Sequence, residues 1–262
     1  MTEIRPVTIV TGASSGIGAE LARVFARNGH ELVLVARSAN RLTALADEIV
    51  GHGHARPLVL AMDLGHSDAG DRIDEALAAN DLEPQFVINN AGFGLVGAVE
   101  SRDRSEQLAM IDLNIRTLTD FSVRWVEPMT RHRGGLLNVA SVAGFLPGPG
   151  SAVYYASKAF VVSFTEALHQ EWKSRGLRIT ALCPGPVPTG FQARAGVVNS
   201  ESPPLLEVSA ARVAEEGYRG LMAGRRLVVP GAFNRLIVSL SGIMPRKFLL
   251  AGVERHQRGR LK

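Results

Sequence analysis

What most constrains the fold of this chain is a repeated alternation. Short runs of aliphatic and β-branched residues are each followed by a longer stretch of helical periodicity. The runs span Val7 to Val10, Glu31 to Val35, Pro57 to Met62, Gln85 to Ile88, Gly135 to Val139, Arg178 to Leu182 and Arg226 to Val229. They are apolar almost continuously, as a parallel strand buried on both faces requires, and not at every second position. Helical patterns lie between them, over Ile17 to Arg27, Asn40 to Val50, Ser67 to Ala79, Arg104 to Arg131, Val153 to Arg175 and Glu207 to Ala223. Strand and helix in turn, with few hairpin signals, build βαβ units with right-handed crossovers. The expected fold is α/β, a doubly wound parallel sheet of about seven strands with helices on both faces.

The chain has 262 residues, 46% of them hydrophobic and 21% charged, which excludes disorder and fibre. The Pro/Gly-rich stretches Leu146 to Gly150 and Pro184 to Pro188 are short and flanked by apolar runs, so they read as loops of a single domain. The formal charge of +4 is local. From Pro245 to Lys262 six basic residues face one acid, and the rest of the chain carries 23 basic and 24 acidic residues. A broad nucleic-acid-binding surface is therefore not expected. The lone Cys183 forms no internal disulfide, and the N-terminus lacks a basic flank before an apolar core, so a cytoplasmic location is expected. No uncharged apolar run approaches the roughly 20 residues of a bilayer span. His52 and His54 have no carboxylate or cysteine cluster beside them, so no metal site is expected.

In a doubly wound sheet, ligands bind beyond the carboxyl ends of the strands. After the first run comes Thr11-Gly12-Ala13-Ser14-Ser15-Gly16-Ile17-Gly18, which leads straight into a helical pattern. Glycine permits a sharp turn and close approach to a diphosphate, and a helix amino terminus offers it unpaired N–H groups. The spacing of Gly12, Gly16 and Gly18 differs from the G-x-G-x-x-G fingerprint. It resembles the cofactor turn of the short-chain dehydrogenase/reductase family. The resemblance extends along the chain through Asn89-Asn90-Ala91-Gly92, Asn114, Ser141, Tyr154-x-x-x-Lys158 and Pro184-Gly185-Pro186-Val187-Pro188-Thr189, in that order.

The resemblance implies a Rossmann-like fold, a nicotinamide dinucleotide and carbonyl–alcohol chemistry. It assigns Gly12, Ser14, Ser15, Gly16, Ile17 and Gly18 to the diphosphate turn. Asp63 and Leu64 would contact the adenine, and Asn90, Ala91 and Gly92 would pass under the adenosine ribose. Pro184, Gly185 and Val187 would cover the nicotinamide, with Thr189 on its carboxamide. Asn89 would either touch the cofactor or bridge strand backbones. The second run is followed by Ala36 and Arg37, with Arg41 a turn further and no acid at that position. A 2′-phosphate is attracted by arginine and repelled by an acid, so NADP(H) is the expected cofactor.

Carbonyl reduction needs a hydride from the cofactor and a proton donor for the developing alkoxide. Tyrosine serves poorly at neutral pH unless a cation stabilises its anion. Lys158, four residues after Tyr154, lies on the same helical face. Tyr155 is also within helical reach of Lys158, but only Tyr154 fits the family pattern, which leaves Tyr155 to packing or a pocket wall. By resemblance Lys158 also bonds the nicotinamide ribose, Ser141 holds the substrate oxygen, and Asn114 fixes a water in a relay to Lys158. Cys183, with no histidine near it in sequence, reads as a packing residue.

Gly190 to Leu206 combines Gly, Ser, Asn and Pro with Phe191, Val197, Val198, Leu205 and Leu206, the composition of a lid over an apolar pocket. Phe93, Gly94, Leu95 and the loop 145–150 are expected as further walls. Only Arg194 and Glu201 are charged in the lid, which favours a small or medium, largely apolar carbonyl or alcohol substrate. A 3-oxoacyl reductase and a non-catalytic NADP(H)-binding regulator are the competing readings. Residues 1–232 thus form an NADP-binding oxidoreductase unit with its lid at 190–206. Residues 233–262 add an amphipathic helix and a basic tail to the same domain. On that helix Phe233, Leu236, Ile237, Leu240, Ile243 and Met244 form a stripe, read as packing on the core or on a neighbouring subunit of a homodimer or homotetramer in preference to peripheral membrane contact.

Overall fold

A computed structural model describes residues 4–191, 195 and 205–260. Seven strands form one sheet: β1 (Arg5–Thr11), β2 (Glu31–Ala36), β3 (Leu58–Ala61), β4 (Leu82–Asn89), β5 (Gly135–Val139), β6 (Arg178–Leu182) and β7 (Leu227–Val228). Their order is β3-β2-β1-β4-β5-β6-β7 and every pairing is parallel. The expected doubly wound, Rossmann-like sheet is what the chain forms. Because β1 and β4 are neighbours joined through the β3 edge, the order reverses between them and a crevice opens at their carboxyl ends.

The near-continuous apolar runs follow from burial on both faces. Val10, Leu34, Ile88 and Leu137 face the layer of α1 (Gly16–Arg27), α2 (Ala39–Gly51) and α8 (Ala210–Met222). Ile9, Val33, Val87 and Leu136 face the opposite layer. That layer includes α3 (Ala69–Ala78), α5 (Leu118–Arg124), α6 (Val126–Arg131) and α7 (Ala152–Glu171).

The expected helix Arg104 to Arg131 is broken. It forms α4 (Arg104–Ile111), a π-helical turn (Asp112–Thr117), α5 and α6. The break at Trp125 has a direct cause: Pro128 lacks an N–H, and its ring clashes with the carbonyl of residue 124 in a continuing helix. The chain kinks at Trp125 (φ −110°, ψ 27°), whose indole N–H donates to Asp74 at 2.6 Å.

The C-terminal segment also differs from expectation. It holds α9 (Ala232–Ser241), and the basic tail is itself helical, α10 (Arg246–Arg260). On α9, Ile237 and Val238 pack against a core cluster that includes Val161, Cys183 and Val229. Phe233, Leu236 and Leu240 of the expected stripe remain exposed.

Candidate active site

The glycine-rich turn is built by sterics. Gly12 has φ +66°, and a Cβ there would lie 2.8 Å from Asn90 Nδ2, so only glycine fits. At Gly18 a Cβ would fall 2.3 Å from the Gly12 carbonyl oxygen. Across the crevice, Thr11 Oγ1 accepts the N–H groups of Asn90 and Ala91, both at 3.0 Å, and donates to Ile88 O at 3.2 Å. Asn90 Nδ2 donates to Thr11 O and Gly12 O at 2.9 and 3.2 Å. Thr11 and Asn90 therefore lock β1 to β4 where the order reverses. Asn89 takes the structural role: buried, it donates to Ser122 Oγ at 3.2 Å and Asn138 Oδ1 at 3.0 Å.

Helix α1 begins at Gly16 with no side-chain cap from Ser15 and no acid in its first turn. Its leading N–H groups point to the crevice uncapped by a side chain, which suits a diphosphate. From the other rim, Thr189 closes on this turn, since a Cβ on Gly16 would be 3.1 Å from Thr189 Cγ2. The glycine cradle, the uncapped helix start and the Pro184–Thr189 loop together fit a dinucleotide.

At the outer end, Arg37 Nη1 stands 4.0 Å from Asp63 Oδ2, both side chains largely exposed. No acid follows β2, yet the β2–β3 pairing brings a carboxylate beside Arg37. Such an exposed pair is weak, so the guanidinium is easily recruited elsewhere. Asp63 Oδ1 also accepts the Gly65 N–H at 2.9 Å, and Leu64 is buried.

The reacting groups gather beyond β4, β5 and β6. Lys158 is buried in α7 and its Nζ donates to Val139 O at 2.8 Å. Nζ lies 6.0 Å from the centre of the Tyr154 ring. Burial pushes the Lys158 pKa down to about 8 and that of the neighbouring Cys183 up to about 12, which leaves the thiol neutral and inert. Ser141 closes β5: its Oγ accepts the Ala143 N–H at 3.1 Å and donates to Pro184 O at 3.4 Å. The turn it caps lies against α7, where a Cβ on Gly144 would be 2.6 Å from Lys158 O.

Asn114 sits in the π-helical turn, a device that recurs at functional sites. It is buried, accepts the Phe93 N–H at 3.1 Å, and donates to Phe93 O at 2.9 Å and Ser157 Oγ at 3.1 Å. A Cβ on Gly92 would come within 2.9 Å of Asn114 Oδ1 and 3.7 Å of Lys158 Nζ. Both groups thus border the same space beside Gly92. Ser157 and Thr11 were not singled out from the sequence; Thr11 heads the glycine motif, and nothing in sequence marks Ser157.

Phe191 packs on Tyr154, ring centres 5.6 Å apart, with Gly94 beneath both rings. Phe93 and Leu95 are buried with Met110, against Tyr154 and Val153. Of the expected lid, residues 192–194 and 196–204 lie outside the described residues. The loop 145–150 packs on Tyr155 and, with Arg246, Leu249 and Leu250 of α10, walls a cleft of about 370 Å³. No group of metal-ligating side chains occurs among the described residues.

A family model described as short chain dehydrogenase matches residues 6–197. A sulfoacetaldehyde reductase of Chromohalobacter salexigens is 35% identical over 233 residues, which cover 87% of this chain and 91% of that protein. A solved short-chain dehydrogenase from Sphingobium yanoikuyae in complex with NADPH superposes with a TM-score of 0.79 at 29% identity, covering 91% of this chain and 95% of the other. A 3-ketoacyl-(acyl-carrier-protein) reductase from Brucella melitensis complexed with NADH gives 0.77 at 25% identity, covering 88% and 98%.

Proposed function

This chain belongs to the short-chain dehydrogenase family of oxidoreductases, and from that premise we propose that it interconverts a carbonyl and an alcohol on a small or medium, largely apolar substrate with NADP(H). The observation that carries the reading is the placement of Tyr154 beside the buried ammonium of Lys158, with Ser141 and Asn114 on the same rim of the sheet. When bound, the dinucleotide supplies or accepts the hydride. Tyr154 gives its proton to the developing alkoxide in reduction and takes it back in oxidation. The cation at Lys158 stabilises the tyrosinate that remains. Ser141 Oγ turns from its long bond to Pro184 O to hold the substrate oxygen. Asn114 fixes a relay water beside Gly92, within reach of Lys158. Phe191 and Gly94 supply an apolar contact next to Tyr154, which suits an uncharged ketone or alcohol.

Arg37 supports the choice of NADP(H), because its exposed guanidinium at the end of β2 pairs with a 2′-phosphate better than with a free hydroxyl. Exposed Leu108 and Ile111 on α4 and Phe160 on α7 support a homodimer or homotetramer, and a reduced, buried Cys183 suits the cytoplasm. A 3-oxoacyl thioester is the second substrate class to try, given the similarity to the Brucella melitensis enzyme. The test is a panel of ketones, aldehydes and 3-oxoacyl thioesters with NADPH, followed at the absorbance of the reduced cofactor. Turnover of at least one carbonyl is expected; none, with intact NADPH binding, favours a non-catalytic regulator.

A further inference from the structure

Seven of the sixteen exposed large hydrophobic side chains among the described residues fall between Phe233 and Leu250. We propose that α9, α10 and the turn between them form a docking surface for an anionic lipid bilayer, a role separate from the catalytic reading above.

One face of α9 is fixed to the body. Asn234 is buried and donates to Leu206 O at 3.1 Å and Pro230 O at 2.9 Å, while Ile237 and Val238 pack on the core. The other side of α9 presents Phe233, Leu236 and Leu240, one stripe at helical spacing. The turn continues it with Met244 and with Ile243, which is 83% exposed, and α10 adds Phe248, while Leu250 lies on the other side of that helix, against the cleft. No described helix is long and apolar enough to cross a membrane, so the surface lies on a bilayer and does not span it.

Charge selects the occupant. Arg246, Lys247 and Arg255 are exposed on α10, and Glu254 is the one acid after Pro245, while the rest of the chain is nearly balanced. Lys247 Nζ lies 5.1 Å from the Phe248 ring centre, a cation and an aromatic ring at one depth, as at a headgroup boundary. A second copy seated here by two-fold symmetry would set one net-positive patch against another of the same sign. An anionic leaflet instead offers opposite charge to each of them.

The experiment is flotation of the full-length protein with vesicles of phosphatidylcholine alone and of phosphatidylcholine with phosphatidylglycerol. The expected result is binding to the anionic vesicles about tenfold or more above the neutral ones, weakened by salt. Ile243→Asp with Phe248→Asp, and separately Lys247→Glu with Arg255→Glu, should each abolish it while NADPH binding and melting temperature stay at the parent's values. No binding of the intact chain to anionic vesicles overturns the proposal, as does equal binding to both vesicle types. Conversion of a dimer to a monomer by Ile243→Asp with Phe248→Asp, without vesicle binding by the parent, would assign the surface to a second copy.

Discussion

The ammonium of Lys158 stands 6.0 Å from the centre of the Tyr154 ring, buried in the first turns of α7 and hydrogen-bonded to the carbonyl that ends β5. A cation in that position is costly to the fold and useful to a phenol that must release a proton.

That cost predicts a pH signature. Lys158 falls from an ordinary 10.5 to about 8 on folding because burial disfavours its charge. Between those values the unfolded chain holds a proton the folded chain has lost, so stability rises with pH across that window. Lys158→Met should therefore be inactive yet more stable than the parent by about 1–3 kcal/mol at pH 7, the unpaired Val139 carbonyl offsetting part of the gain. Urea denaturation should find the gap narrowing between pH 8 and 10.5; a gap independent of pH contradicts the account.

Gly18→Ala tests the turn. The added methyl would meet the Gly12 carbonyl oxygen at 2.3 Å and force the loop open. Titration calorimetry should show NADPH binding weakened about tenfold or more, roughly 1.4 kcal/mol. Unchanged affinity would show that the turn does not hold the cofactor.

Asn114→Ala removes the buried amide that accepts the Phe93 N–H and donates to the Phe93 carbonyl. Denaturation should register a loss of about 2–4 kcal/mol, and kcat should fall more than the affinity for NADPH. Parent-like stability would mean that the π-helical turn does not depend on this clamp.

Arg37→Asp places a second carboxylate beside Asp63, from which Arg37 is now 4.0 Å. The dissociation constant for NADPH should rise about tenfold or more and the preference should pass to NADH. An unaltered ratio of the two constants would remove Arg37 from cofactor selection.

Much of this arrangement is legible in the residues because burial on both faces leaves its mark in each strand: Gly135–Val139 and Arg178–Leu182 are strands over the span their apolar runs indicate. The glycine turn is legible for a similar reason, since positive φ at Gly12 and close contact at Gly18 exclude other residues. What escaped is spatial. The Arg37–Asp63 pair depends on strand pairing, and the cleft between the loop 145–150 and α10 depends on where that helix runs. Pro128 did signal the break at Trp125, but the apolar periodicity on either side continues through it. The helix α10 was hidden by its charge, and the exposed face of α9 by an apolar pattern that ordinarily means burial.

The central claim is that Tyr154, and not its neighbour Tyr155, moves the proton. The direct test compares Tyr154→Phe and Tyr155→Phe in NADPH-dependent carbonyl reduction, with NADPH affinity measured on the same samples. Tyr154→Phe should lose turnover by about a thousandfold or more at unchanged affinity, within the range expected for a general acid, while Tyr155→Phe retains activity. Turnover comparable to the parent in Tyr154→Phe would contradict the account.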